Sequence, residues 1–313
     1  MTRRELVKAA IAHREAERIP YFIDINPDAW EKLKPLAGDR TLRDFLDDDV
    51  QDIGAPWWNW GELAVDWKGP DVPVTRDHVV GVGSYAEYAE SIKRARDAND
   101  KYLLVRIYGS HFEKANFARG IEGFLADIGG NVAFARRFLT RIIDRNMVML
   151  ENMLTAPEID GVLLGSDWGS QKDLLMSPES WHDLIRPGEQ REYDLIHEYG
   201  KDVWIHSCGC VERIIPALIE MGVNVLNPVQ PEAMDVARLK ADYGDRLTFW
   251  GGLSTQRTLP FGTPDDVRRE CRALKKLLGR GGGHIFSPAQ VIQGDVPVEN
   301  VLALLEVARE PNA

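Results

Sequence analysis

Residues 202–226, DVWIHSCGCVERIIPALIEMGVNVL, contain a strand, a helix and a second strand in succession. Asp202–Ile205 and Val223–Leu226 are short apolar runs of strand length, and Val211–Met221 between them has the length and apolar spacing of a helix. Strands that are apolar along their whole length are typical of parallel sheets buried on both faces. This stretch therefore predicts a βαβ unit, in which a helix connects two parallel strands.

The same alternation continues on both sides of residues 202–226. Further apolar strands are predicted at 19–25, 102–107, 161–164, 247–250 and 283–286. Helices are predicted at 3–13, 84–98, 134–154, 235–243, 263–278 and 297–307. A further helix is predicted to start at Ser177, with Pro178 at its first helical position. About eight βα units fit this pattern, so the predicted fold class is α/β, a (β/α)8 TIM barrel that forms a single domain over residues 1–313. A doubly wound open sheet is the alternative, and no Gly-x-Gly-x-x-Gly motif follows the first strand to support its dinucleotide-binding form.

One segment interrupts this regularity. Residues 50–80 are irregular and rich in Pro, Gly and Trp, including Trp57, Trp58, Trp60 and Trp67. The segment is too long for a plain connection, so we expect either a functional lid or a small excursion with its own hairpin.

Composition and charge exclude several classes of protein. The chain has 313 residues, 44% of them hydrophobic, and a formal net charge of −11 with no basic stripe, which argues against nucleic-acid binding. Three Cys do not suggest a disulfide framework. No run reaches the roughly 18 apolar residues that a membrane span needs, and residues 1–7 do not look like a signal peptide. A reducing cytoplasm is the expected compartment.

Three potential metal ligands follow the strand at 202–205 within five residues. Alternate residues of an extended chain point the same way, so His206 and Cys208 can converge on one point, and Gly209 allows the backbone to turn before Cys210. Nitrogen and thiolate are the ligands that zinc prefers. The sequence predicts a metal site at His206, Cys208 and Cys210. The alternative is a buried core Cys beside a hydrogen-bonded His.

Other polar side chains follow the predicted strands at the end where (β/α)8 barrels carry their chemistry. Asp167 is the predicted catalytic residue, although it could equally cap the turn after Gly165. His111 is predicted to be structural. Seven further residues are predicted to bind a substrate: Asp24, Asn26, Tyr108, Asn227, Gln230, Gln256 and Gln290.

Five ordered motifs resemble the uroporphyrinogen decarboxylase-like superfamily over essentially the whole chain. They are HREAERIP (13–20), GSDWGS (165–170), WGGLSTQ (250–256), GGGHIF (281–286) and DVPVEN (295–300). Each motif is weak alone, but the ordered set is specific. The resemblance implies a (β/α)8 barrel, in agreement with the pattern of strands and helices.

Within this superfamily, the chain is more similar to the zinc- and corrinoid-dependent methyltransferases. True uroporphyrinogen decarboxylases carry an Arg-rich loop after the first strand and a His in the last loop, where this chain has FIDINP (22–27) and SPAQ (287–290). The methyltransferases bind zinc through a His-x-Cys pair, matched by His206 and Cys208, and through a Cys in the last loop that is absent here. Cys210, Asp167 or a nearby acid is left to complete the site, or water and substrate fill it.

The resemblance implies an enzyme that transfers a methyl group between a small substrate or thiol and cobalamin. No cobalamin-binding domain is visible, so the cobalamin would be carried by a separate corrinoid protein. The alternative is a metal-assisted decarboxylase or lyase of a small carboxylate, with Arg106 and Arg119 as candidate carboxylate-binding residues. A barrel that only binds a metal or a small molecule is a third interpretation. A homodimer is compatible with each of them.

Overall fold

The computed structural model describes residues 1–57, 85–107 and 109–312. Within these residues the backbone forms seven β-strands. They are β1 (Val50–Gly54), β2 (Tyr102–Ile107), β3 (Gly161–Gly165), β4 (Asp202–His206), β5 (Val225–Val229), β6 (Thr248–Leu253) and β7 (His284–Pro288).

Three α-helices of the described residues precede β1, one follows β7, and the others lie between the strands along the chain. They are α1 (Arg3–Ile11), α2 (Pro27–Ala37), α3 (Leu42–Leu46), α4 (Tyr85–Ala98), α5 (Phe112–Arg119), α6 (Ile121–Gly130), α7 (Val132–Met153), α8 (Pro178–Ser180), α9 (Arg186–Glu198), α10 (Ile215–Glu220), α11 (Val236–Tyr243), α12 (Thr258–Phe261), α13 (Pro264–Leu278) and α14 (Val298–Arg309). A π-helical turn, Trp181–Ile185, connects α8 to α9, and a 3-10 turn, Glu212–Ile214, precedes α10.

The chain divides into two compact units, and the single domain predicted for residues 1–313 stays a prediction. Unit 1 comprises Met1–Gln51, Asp100–Tyr102 and Asn224–Ala313, and unit 2 comprises Asp52–Asn99 and Leu103–Val223. In the described part of the chain, no helix is both long enough and apolar enough to cross a bilayer.

In unit 2, the strands β2, β3 and β4 pair in parallel. Val105 of β2 is opposite Val162 of β3, which in turn is opposite Val203 of β4. Every residue of β3 is buried, as expected for parallel strands that are covered on both faces. The carboxyl ends of the strands meet at one edge, where Gly165 is opposite His206.

In unit 1, β5, β6 and β7 also pair in parallel. The segment predicted as the first strand, residues 19–25, lies beside β7 but forms bridges only at Tyr21 and Ile25. The Phe22 amide donates to the Phe286 carbonyl, and the Asp49 amide donates to the Tyr21 carbonyl. Residues 19–25 therefore lie beside β7, where the first strand was expected, but the prediction of a continuous strand is wrong.

Most predicted elements are confirmed with small shifts of their ends. The predicted helix starts at Ser177 and Thr263 are confirmed, because each side chain accepts a hydrogen bond from the first turn of its helix. The elements β1, α2, α3, α5, α6 and α12 were not predicted. The predicted irregular segment 50–80 begins with β1, and most of the remainder, including Trp58, Trp60 and Trp67, lies outside the described residues.

Candidate metal centre

The candidate metal centre begins with His206, the last residue of β4. The chain leaves the strand at His206, and Cys208 follows two residues later, so both side chains point to the same side. The Cys208 Sγ lies 3.4 Å from the His206 Nε2. Both side chains are partly exposed, so an ion in solution can reach them.

Asp167 joins this pair from the end of the neighbouring strand, β3. Its Oδ1 accepts a hydrogen bond from the Cys208 amide at 2.9 Å and lies 3.6 Å from the His206 Nε2. Asp167 has a φ of 44°, in the left-handed region that non-glycine residues rarely adopt. Backbone strain of this kind is concentrated at functional sites. The carboxylate caps the loop after β4 and lies beside the imidazole, and the catalytic role of Asp167 stays a prediction.

Backbone hydrogen bonds join the loop after β3 to the loop after β4. The Ser166 amide donates to the His206 carbonyl, and the Cys210 amide donates to the Ser170 carbonyl. Gly209, with a φ of 80°, forms the turn between these contacts, where an added Cβ would lie 2.4 Å from the Ser170 oxygen. Only glycine fits this turn. The hydrogen bonds between the two loops hold the side chains of Asp167, His206 and Cys208 close together.

The donor set and its spacing fit a zinc ion. For bond lengths of about 2.0–2.3 Å and tetrahedral angles, two donor atoms bound to one zinc lie about 3.3–3.7 Å apart. The separations of 3.4 Å between the Cys208 Sγ and the His206 Nε2, and of 3.6 Å between the His206 Nε2 and the Asp167 Oδ1, fall in this range. Asp167, His206 and Cys208 each offer one ligand atom, and these three atoms all lie within 4.8 Å of one another. The predicted ligand Cys210 lies outside this group, and its role as a ligand stays a prediction.

Glu113 is a site residue that sequence reasoning missed. It is buried in the first turn of α5, and an added Cβ at Gly165 would lie 2.5 Å from its Oε2. The carboxyl group thus occupies the space beside the end of β3, next to the residue that pairs with His206. Within the described residues, the Glu113 Oε2 has no hydrogen-bond partner.

The surroundings of Glu113 change its acidity. Burial raises the pKa of its carboxyl group to about 8, and the negative charge of Asp167 acts in the same direction. The Gly109 amide and the Lys114 ammonium group oppose this change. Glu113 is therefore largely protonated at neutral pH in the metal-free protein. No sequence motif marks it, because its placement depends on how α5 packs against β3.

The predicted substrate-binding residues Asp24 and Asn26 have structural partners in unit 1. Asp24 Oδ1 accepts a hydrogen bond from Arg43 at 2.9 Å. Asn26 caps α2 through its Oδ1, and its Nδ2 donates to Gln293. Both side chains are partly exposed, and their role in substrate binding stays a prediction.

The other predicted substrate-binding residues are distributed between buried and exposed positions of unit 1. Asn227 and Gln230 are buried at the end of β5, and the Asn227 Nδ2 donates to the Trp250 carbonyl. Gln256 and Gln290 are exposed. Tyr108 lies outside the described residues. None of these predictions is tested by the structure.

The comparisons with known proteins agree with the resemblance seen in the sequence. The family model described as Uroporphyrinogen decarboxylase (URO-D) matches residues 71–311, and the protein belongs to this family. The uroporphyrinogen decarboxylase of Methylococcus capsulatus is 23% identical over 186 residues, which are 57% of this chain and 49% of the relative. That of Psychromonas ingrahamii is 31% identical over 77 residues, 25% of this chain and 21% of the relative. The matches thus span about half or less of these relatives.

A solved structure establishes the fold. A methyltransferase from Methanosarcina mazei superimposes with a TM-score of 0.71 over 98% of both chains, at 16% sequence identity. The predicted (β/α)8-barrel fold class is confirmed. The named relatives are enzymes, a decarboxylase and a methyltransferase.

Removing one ligand at a time tests the metal centre. We expect His206→Ala and Cys208→Ala to lose tight zinc binding, and Asp167→Ala to weaken it at least about tenfold, because each removes a donor atom. Competition with a chromophoric chelator measures the affinity, and circular dichroism checks folding. The exposed His182→Ala is the matched control. If Cys210→Ala loses as much affinity as Cys208→Ala while Asp167→Ala loses none, the third ligand is Cys210 and the assignment of Asp167 is wrong.

The titration of Glu113 makes the stability of the metal-free protein depend on pH. Its folded-state pKa of about 8 lies above the ordinary value of 4.5, so the folded protein binds the proton of the Glu113 carboxyl group more tightly than the unfolded chain does. The resulting stabilisation is complete below about pH 4.5 and is lost as the pH rises through about 8. Urea unfolding at about pH 5 and pH 8.5 should show that Glu113→Gln stabilises the protein relative to wild type only at the higher pH. An equal effect at both pH values, or the same behaviour in the exposed control Glu122→Gln, would contradict this assignment.

Proposed function

We propose that the protein is a zinc-dependent methyltransferase that acts with a separate corrinoid protein. In this proposal a methyl group passes between a small substrate or thiol and cobalamin. The observation that carries the proposal is the nitrogen, sulfur and oxygen donor set of His206, Cys208 and Asp167, at separations suited to zinc. It lies at the carboxyl ends of parallel strands, where (β/α)8 barrels bind their substrates.

Three protein ligands suit catalysis better than a structural role. Structural zinc sites use four protein ligands, whereas catalytic sites use three and leave a position for substrate. A zinc ion held by these three ligands would supply Lewis acidity. It would favour the thiolate form of a thiol bound at the open fourth position. The partial exposure of His206, Cys208 and Asp167 leaves room for a small molecule to reach the ligands.

The protein's own residues orient the ligands and carry protons. The Cys208 amide holds Asp167 Oδ1 in place, and the hydrogen bond from Ser166 to His206 fixes the ends of β3 and β4. Glu113 exchanges its proton near neutral pH, since burial raises its pKa to about 8. We assign to Glu113 the exchange of the proton that a thiol releases when it becomes a nucleophile.

The corrinoid partner rests on the resemblance of the chain to corrinoid-dependent methyltransferases, whose zinc-binding His-x-Cys pair is matched by His206 and Cys208. The fold that the chain shares with a methyltransferase from Methanosarcina mazei is compatible with this proposal. In the proposed reaction the partner delivers cobalamin to the strand ends that hold His206 and Cys208.

The family name favours a second candidate, the decarboxylation of a small carboxylate. The two arginines considered as carboxylate-binding residues each lie beside a carboxylate of the chain. Arg119 donates two hydrogen bonds to Asp127, and the Arg106 Nε lies 3.8 Å from Asp52. A metal at the candidate centre would serve a metal-assisted decarboxylation as well, so the choice rests on the match of His206 and Cys208 to the zinc-binding His-x-Cys pair of the methyltransferases. Methyl transfer is therefore the stronger proposal.

A direct assay separates the two candidates. We expect the zinc-loaded protein to transfer the methyl group of free methylcobalamin to 2-mercaptoethanol, followed by the change in the cobalamin absorption spectrum. Cys208→Ala should reduce the rate at least about a hundredfold because it removes a zinc ligand. The buried Cys271→Ala, on α13, is the matched control and should keep the rate. Release of carbon dioxide from a small carboxylate without any methyl transfer would contradict the proposal.

A further inference from the structure

A cavity of about 190 Å³ lies in unit 2 and shares no lining residue with the candidate metal centre. We call it the helix cavity, because α7, α9 and the π-helical turn between α8 and α9 supply most of its walls. An apolar cavity of about 150 Å³ holds a benzene molecule. The helix cavity is therefore large enough for a ligand with a small apolar body and one polar group.

The side walls of the helix cavity are apolar. Leu139 and Ile143 of α7 and Leu184 of the π-helical turn line it, and all three are buried. Such walls favour the hydrocarbon part of a ligand. Their side chains offer no hydrogen bond, so a polar group of the ligand must find its partner elsewhere in the cavity.

The charged groups at the mouth of the helix cavity pair with one another or with a neighbouring carboxylate. Arg136 donates to the carbonyl and the carboxylate of Asp183, and the Arg191 Nη1 donates to Asp144 at 2.9 Å. Both pairs are in contact with solvent. Each positive charge thus has a negative charge beside it, and the mouth favours a neutral ligand over an ion.

One polar side chain, His111, lies at the inner end of the helix cavity. It is fully buried, and neither ring nitrogen has a hydrogen-bond partner within the described residues. The ring faces Gly188, where an added Cβ would lie 2.6 Å from the His111 Cε1 and 3.0 Å from its Nε2. Both residues line the cavity, so the missing side chain at Gly188 leaves Nε2 beside the open volume. A buried nitrogen without a hydrogen bond is costly, and the predicted structural role of His111 does not account for it.

Glu189 determines which nitrogen of His111 carries the proton. The His111 Nδ1 lies 3.4 Å from the Glu189 Oε1, and both side chains are buried. Burial and the negative charge of Glu189 raise the pKa of Glu192 well above its usual range, so Glu192 holds a proton and the charge of this pair rests on Glu189. A proton on Nδ1 faces that carboxylate, which leaves Nε2 as a hydrogen-bond acceptor.

We propose that the helix cavity binds a small neutral hydroxyl compound, of the size of a phenol, whose hydroxyl group donates a hydrogen bond to the His111 Nε2. The hydrocarbon part of the ligand lies against Leu139, Ile143 and Leu184. A ligand of this kind gives the buried nitrogen its partner, matches the apolar walls and passes a mouth whose charges are paired. The site is independent of the chemistry assigned to the metal centre.

Titration of the full-length protein with phenol and toluene, followed by NMR chemical shifts, tests the site. The two probes are about equal in size, and only phenol has a hydroxyl group. We expect phenol to bind with a dissociation constant of roughly a millimolar or below. His111→Phe keeps a ring but removes the acceptor, so it should weaken phenol about tenfold without weakening toluene. His197 is an exposed histidine of α9 that does not line the cavity, and His197→Phe is the matched control that should change neither affinity.

Measurements on the wild-type protein keep the result independent of a folding defect in His111→Phe. Bound phenol should show nuclear Overhauser effects to the methyl groups of Leu139, Ile143 and Leu184, and the nitrogen resonances of His111 should place its proton on Nδ1 in the complex. Circular dichroism verifies that each variant is folded. The proposal is overturned if phenol does not bind, if bound phenol does not contact those methyl groups, if Nε2 carries the proton in the complex, or if folded His111→Phe binds phenol with wild-type affinity.

Discussion

The candidate site depends on one constraint, the hydrogen bonding between the loop after β3 and the loop after β4. The Ser166 amide bonds to the His206 carbonyl, and the Cys208 amide bonds to the Asp167 carboxylate. These bonds hold one ligand atom each of Asp167, His206 and Cys208 within 4.8 Å of one another. Preorganisation of this kind is what a catalytic metal site requires. The left-handed backbone of Asp167 is the local strain that accompanies it.

The same arrangement explains the acidity of Glu113. Its carboxyl group is buried beside Gly165 and near the negative charge of Asp167, so it keeps its proton near neutral pH. A cation at Asp167 and His206 would lower the pKa of Glu113, because it would offset the negative charge of Asp167. Metal binding and proton release at the centre are thus linked through a single carboxylate.

The strands β2 to β7 could be predicted from the sequence because apolar runs bounded by turns are a local signal. Residues 19–25 were wrongly predicted as a continuous strand, since their backbone forms only isolated bridges, from Tyr21 to Phe286 of β7 and from Ile25 to Ile292 beyond it. The pairing of His206 with Cys208 follows from the alternation of side chains along an extended chain. The approach of Asp167 and Glu113 was not predictable in this way, because it depends on the register of β3 with β4 and on the packing of α5. Neither feature leaves a spacing pattern in the chain.

The most direct test is X-ray absorption at the zinc edge of the protein loaded with one equivalent of zinc in thiol-free buffer. The account predicts one sulfur neighbour at about 2.3 Å, from Cys208, with nitrogen and oxygen neighbours at about 2.0–2.2 Å from His206, Asp167 and water. Two sulfur neighbours would show that Cys210 is a ligand in place of Asp167. A spectrum without sulfur, or the absence of stoichiometric binding, would contradict the account of the site.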